Sequence, residues 1–177
     1  MNKSPDAGWD IPVRYGYAAA IDSIGSVAAP FLAGVSSALA VFVMQNEAAF
    51  GWANLALLLL IGAALAFVAA LQFSFWARQF AATPAEIEMW WGDEATSEQE
   101  RMHQEQYGDM RHHRLWANRV RRSYNVGLLA FLLGLTTCLV PEAGVTEASG
   151  SRQLVIGLVT LCLVVELAWI RRTQSGD

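Results

Sequence analysis

The chain has 177 residues, of which 54% are hydrophobic and only 16% are charged, with a net charge of −4. A soluble domain usually carries about 25% charged residues. Here the charges crowd into 1–14, 78–122 and the last few positions, so an ordinary soluble enzyme or a nucleic-acid-binding domain is excluded and a membrane protein is indicated.

The first 17 residues are polar and include Asp6 and Asp10. The apolar run behind them is too long for the core of a cleavable signal peptide, so none is expected. Four apolar runs follow, at 24–44, 52–76, 126–140 and 154–170. A helical span needs about 20 residues. The first two runs satisfy this, and Tyr124, Asn125 and Gln153 extend the shorter third and fourth into the interface. The expected fold is all-α: a polytopic membrane protein with four transmembrane helices and a helical cytoplasmic insert between helices 2 and 3. Its divisions are a cytoplasmic start (1–17), a first transmembrane hairpin (18–82), the cytoplasmic helical region (83–123), a second hairpin (124–170) and a cytoplasmic tail (171–177).

In span one, Gly25, Ala29, Ala33, Ser37 and Ala40 form a ladder of small residues that lets helices approach closely. Pro30 is expected to kink this helix, because it lacks the N–H of one backbone hydrogen bond.

Orientation follows from Lys and Arg in the short flanks. The 45–51 loop has none and the 141–152 loop has only Arg152, whereas the central segment holds Arg78, Arg101, Arg111, Arg114, Arg119, Arg121 and Arg122. Lys3, Arg14, Arg171 and Arg172 flank the ends. Both termini are therefore expected inside. Tyr15, Tyr17, Trp76, Tyr124 and Trp169 near the inner boundary, with Phe50 and Trp52 near the outer one, agree with that orientation. A cell (inner) membrane location follows.

Within 83–123, Thr83-Pro-Ala-Glu86 reads as a capping box with Pro at the first helical position. Gly92-Asp93 interrupts that helix, a second is expected from Thr96-Ser97 to a stop at Gly108, and a third from about Met110 runs into span three. Charge is divided. Glu86, Glu88, Asp93, Glu94, Glu98 and Glu100 precede Arg111, Arg114, Arg119, Arg121 and Arg122, with no sign mixed into either run. One reading places the Arg run on the anionic inner surface as an anchor. The other docks the acidic half on the Arg helix, within a subunit or between subunits.

Ionisable groups inside spans are costly and mark candidate sites. Asp22 and Glu166 qualify, and Gln72 and Asn125 fall at about the same level. These four are the candidate polar ring at the inner mouth of a conduction path, closed further out by apolar residues. The alternative is interfacial pairing with Arg122 or Arg171. No charged residue lies at the midplane, which argues against an ion-coupled transporter.

Cys138 and Cys162 read as small buried apolar residues. His103, His112 and His113 sit on different helical faces, so no metal site is expected; nor is a cofactor, since no phosphate-binding loop, dinucleotide motif or nucleophile elbow occurs. The chain reads as a non-enzyme, and nucleic acid is not an expected partner.

The short polar start, the acidic residue entering span one (Ile21-Asp22-Ser23), the tight first hairpin, the helical insert and the basic stretch Trp116-Ala-Asn-Arg119-Val-Arg121-Arg122-Ser-Tyr124 give a layout covering most of the chain. It resembles the small bacterial four-helix membrane effectors of the SLATT and Pycsar-effector type, although Ser23 to Ala29 holds no Lys where that pattern has one. The resemblance implies a homo-oligomer, channel-like or membrane-disrupting, triggered by a cytoplasmic protein or small molecule. The alternative is a membrane anchor or accessory subunit that recruits a cytoplasmic partner through 84–122.

Overall fold

The structure is a computed structural model that describes residues 17–81, 89, 99–140 and 150–174, with 99–107, 150–152, 169, 173 and 174 described in backbone only. Its described residues are helical, with no strand among them, and four helices are long and apolar enough to cross a membrane. They are α1 (Tyr17–Gln45), α2 (Ala53–Arg78), α3 (Gln99–Leu139) and α4 (Gly150–Gln174).

Helix α1 starts about two turns before the apolar run, because Tyr17-Ala-Ala-Ala contains no breaker. Its first stretch, Tyr17–Ser23, passes through a wide π-helical turn at Ile24–Ala28 and continues as Ala29–Gln45. Pro30 explains the wide turn. Its ring would collide with the carbonyl four residues back, and loosening the preceding turn removes that collision without ending the helix. The α1–α2 hairpin is tight: the Asn46 side chain and backbone N–H both donate to the Phe42 carbonyl, at 2.9 and 3.2 Å.

Helix α2 is the centre of the molecule, packed on α1 on one side and on α3 on the other. Ala53, Ala56, Leu60, Ala63, Phe67, Ala70, Ser74 and Ala77 are all buried, in alternating steps of three and four. The facing edge of α3 repeats the rhythm in the opposite direction. His113, Ala117 and Val120 are buried, and Tyr124, Gly127, Phe131, Gly134 and Cys138 continue the steps. This is the spacing of a left-handed coiled-coil seam. Large side chains meet missing ones: a Cβ at 127 would lie 2.9 Å from the Phe67 ring, and one at 134 would lie 3.1 Å from the Leu60 side chain. The seam is tightened by Ser123, whose hydroxyl donates to the Ala66 carbonyl at 2.8 Å.

Three buried clusters stack along the seam. The one at the Arg78 end holds Ile21, Ala77, Ala117 and Val120; the middle one holds Ala29, Ala63, Phe67 and Ala70; the far one holds Ala40, Val43, Ala53, Ala56 and Leu60. Every core residue of these clusters comes from α1, α2 or α3. Helix α4 packs along α3 and makes no comparable contact with α1 or α2. The four helices therefore form an open array with α4 at its edge, not a closed bundle.

Two expectations about the segment before span three are corrected. Gly108 does not stop a helix and no new one begins at Met110: Gln99–Leu139 is one unbroken helix of 41 residues, which also crosses the 123/124 boundary. A mid-helix glycine costs only about 1 kcal/mol relative to alanine, and Gln106, Tyr107, Asp109 and Met110 around it all accept helical geometry. Because His113 sits opposite Ala77, residues 99–112 extend roughly 20 Å beyond the end of α2 at 1.5 Å per residue. The Thr83–Glu86 capping box, the Gly92-Asp93 break, the Thr96-Ser97 start and the acidic residues Glu86, Glu88, Asp93, Glu94 and Glu98 lie outside the described residues, as does the side chain of Glu100.

Candidate functional site at the basic end

Polar groups from three helices converge where α2 ends. Asp22 of α1 forms an ion pair with Arg78 of α2, each side chain about half exposed. One turn closer to the seam centre, α1 and α2 touch backbone to side chain: a Cβ at Gly25 would overlap the Ser74 side chain. Only glycine permits that approach. From α3, His113 is buried, and its Nδ1 lies 2.9 Å from the carbonyl oxygen of Ala77. A carbonyl only accepts, so Nδ1 carries the proton in this contact. Ala77 is in the last turn of α2, where its carbonyl accepts from the Phe80 N–H at 3.2 Å and also from His113, so His113 adds a second donor at the end of a neighbouring helix. The edge of Tyr17 packs on the same imidazole at 6.3 Å between ring centroids. Ser74 Oγ and His113 Nε2 are buried without a hydrogen-bond partner among the described residues.

Beside this junction lies an aromatic stack. The Trp76 and Trp116 rings lie 5.9 Å apart at 22°, Phe73 closes on Trp116 at 5.8 Å, and the Arg119 guanidinium sits 4.4 Å above the Trp116 ring. Phe80 and His112 stack at 5.3 Å just beyond. Arg119 is three residues after Trp116, so one helical turn brings its charge over the ring.

The residues chosen for a polar ring do not share one environment. Asp22 is held by Arg78, Gln72 is exposed on α2, and Asn125 is half-buried on α3. Glu166 is half-buried on α4. Tyr124 packs on Phe67 with ring centroids 5.7 Å apart, eleven residues from Arg78 along α2, or roughly 16 Å. Asp22 is held in its ion pair at the end of α2, well away from the level of Tyr124.

The small-residue ladder of α1 is displaced by one position. Gly25, Ala29 and Ala40 are buried and Ala33 is half-buried, but Ser37 is exposed and Ser36 is buried instead. A strict step of four drifts around a helix of 3.6 residues per turn, so the contact line must lose a residue. Hydroxyls in the apolar stretches are satisfied within their own helices: Ser36 donates to Leu32 at 2.7 Å, Ser37 to Ala33 at 2.9 Å, Thr136 to Leu132 at 2.8 Å and Thr160 to Ile156 at 2.8 Å.

Arg111, Arg119 and Arg122 are exposed, and among the described residues none of them is paired with a carboxylate. Arg114 is exposed and Arg121 half-buried, and each has an interaction partner. Neither the seam role of His113 nor the Arg119 stack was anticipated. The signal available in sequence was that His113 starts the three-and-four series that runs through Ala117, Val120 and Tyr124. Comparison of the chain with protein-family models, with curated proteins and with solved structures finds no match.

Proposed function

We propose that this chain is a non-enzymatic, multi-pass protein of the bacterial inner membrane with both termini in the cytoplasm. In this reading it forms a homo-oligomeric, channel-like or membrane-disrupting assembly controlled from the cytoplasmic side. The observation that carries the reading is the open edge of the array. Helix α4 uses one face against α3 and leaves the rest of its apolar surface exposed, with Leu154, Leu158, Leu161 and Val165 all outward. The other edge, α1, is open in the same way at Val27, Phe31, Val41 and Phe42. Two different open edges on one protomer suit a head-to-tail contact, which closes into a ring when the rotation permits. The half-buried Glu166 lies on the open helix, where a neighbouring subunit would supply a second wall around it.

The test is reconstitution of purified full-length protein. The expected result is a ring larger than a dimer in nanodiscs and ion leak from liposomes, with or without an added trigger. A monomer or dimer that leaves liposomes tight under every candidate trigger overturns the proposal.

A second reading is a membrane anchor or accessory subunit recruiting a cytoplasmic partner through 84–122. What favours it is the projection of α3 past the end of α2, a helical surface beyond the packed core. A stoichiometric co-purifying partner that is lost when 84–108 is deleted would favour this reading over the first.

A further inference from the structure

We propose that the outward face of α2 docks on the same face of a second copy of this chain, with Gln72 hydrogen-bonded to its own counterpart across a two-fold axis normal to the membrane.

The surface is a second seam. Leu58, Ile61, Leu65, Val68, Gln72 and Phe75 follow one another along α2 in steps of three and four. Each stands two positions before a buried residue, from Leu60 to Ala77, which puts it about 200° around the helix from the contacts with α1 and α3. All six are exposed, Leu58 at 70%, Leu65 at 65% and Phe75 at 61%. Among the described residues no other helix covers this side. The spacing is that of a left-handed helix pair, repeated on the side of α2 that the protomer leaves open.

Apolar spacing alone would suit lipid as well as protein. Gln72 decides between them. Its amide carries two N–H donors and an accepting oxygen, and it makes no hydrogen bond to another described residue. It lies six residues before Arg78, roughly 9 Å along α2 towards the middle of the apolar stretch. Helical side chains tilt towards the N-terminus of their own helix, so Gln72 leans away from the Arg78 end and deeper into that stretch. Acyl chains offer an amide no partner, and a polar group left unsatisfied in hydrocarbon is costly.

A second Gln72 at the same depth satisfies both amides. In a parallel pair, each Oε1 accepts from the Nε2–H of the other. The group is neutral and carries donor and acceptor together, so it complements itself, as a carboxylate or a guanidinium would not. Being the one polar residue of the six, it also fixes the register, because a slip of one turn would leave both amides against apolar side chains. This contact uses neither α1 nor α4, so it does not depend on the ring.

The test uses full-length protein with Cys138 and Cys162 replaced by Ser and one cysteine introduced per variant, oxidised in host-membrane vesicles. Leu65→Cys is expected to give a disulfide-linked species of twice the chain mass. Leu71→Cys, 39% exposed on the same helix but off the stripe, should stay unlinked. Energy transfer between labelled copies, followed on dilution into lipid, then gives the dissociation constant. Gln72→Leu makes the face more apolar, yet it is expected to weaken the pair about tenfold by removing the interhelical hydrogen bonds. Gln72→Asn keeps an amide and should lose less.

Equal cross-linking at 65 and 71, a pair unchanged or tightened by Gln72→Leu, or a linked species at 65 of any mass other than twice the chain each overturn the proposal. Dimers linked through 65 in liposomes that do not leak sink the ring but leave this contact standing. A ring in which Leu65→Cys stays unlinked does the reverse.

Discussion

The Phe67 ring occupies the space that a side chain at position 127 would need: a Cβ there would lie 2.9 Å from both Cδ1 and Cε1. Phe67 is fully buried, so the ring has nowhere to retreat. Gly127→Ala gains helix propensity worth about 1 kcal/mol. Overpacking at a closed contact costs about 1–3 kcal/mol, so the net effect is expected to be destabilising. Gly62→Ala, with open space around it, should stabilise instead. Thermal unfolding in detergent separates the two. Phe67→Leu should recover part of the loss in Gly127→Ala, giving a double-mutant cycle with non-zero coupling; strict additivity would mean that the contact is not made.

How far the sequence disclosed this arrangement depends on contrast. Four apolar runs stand out from polar flanks, and four helices of spanning length occupy them. The α2–α3 seam was not visible, because nearly every residue of α2 is apolar and hydrophobic periodicity has no polar phase to be read against. Only size marks the buried line, Ala, Ala, Leu, Ala, Phe, Ala, Ser and Ala at 53, 56, 60, 63, 67, 70, 74 and 77. The α1 ladder was legible as small residues, yet its register slipped at Ser36 and Ser37. Gly108 misled because glycine weakens a helix without ending it. Asp22 and Glu166 were legible as unusual, but the pairing of Asp22 with Arg78 depends on how the helices align in depth, which only packing decides.

The Asp22–Arg78 pair joins α1 to the end of α2. With both side chains about half exposed, solvent screens the interaction, and its contribution is expected to stay below about 1 kcal/mol. Asp22→Asn and Arg78→Gln should each lower the melting temperature slightly, and less so at high salt. The exchange Asp22→Arg with Arg78→Asp should return most of the loss. If the exchanged protein melts with the worse of the two single variants, the pair does not hold the helices together.

His113 supplies a hydrogen bond to the last turn of α2 from another helix. Its replacement by Leu removes that donor while the Phe80 N–H still reaches the Ala77 carbonyl, so the loss is that of one hydrogen bond, about 0.5–1.5 kcal/mol. Asn presents an amide N–H near the position of Nδ1, so His113→Asn should lose less than His113→Leu. The Phe80 and Ala81 N–H groups donate to the carbonyls of Ala77 and Arg78 at 3.2 and 3.1 Å. Their hydrogen exchange is expected to quicken in His113→Leu before exchange near Phe67 changes. Uniform quickening along α2 would instead show that His113 stabilises the whole helix and not its terminus.

The antiparallel register can be tested by cross-linking to a cysteine already present. Cys138 packs against the far cluster that contains Ala53, Ala56 and Leu60, and it is a free thiol. Leu60 faces Gly134 and Phe67 faces Gly127, so paired residue numbers sum to a constant and Ala56 falls opposite Cys138. Ala56→Cys, made with Cys162→Ser to remove the exposed second thiol, should oxidise to an intramolecular disulfide that speeds migration on a non-reducing gel. Cα atoms must come within about 7 Å for this bond to form. Ala70→Cys in the same background lies four turns away along α2, roughly 20 Å, and should remain reduced. Cross-linking at 70 in preference to 56 would overturn this register.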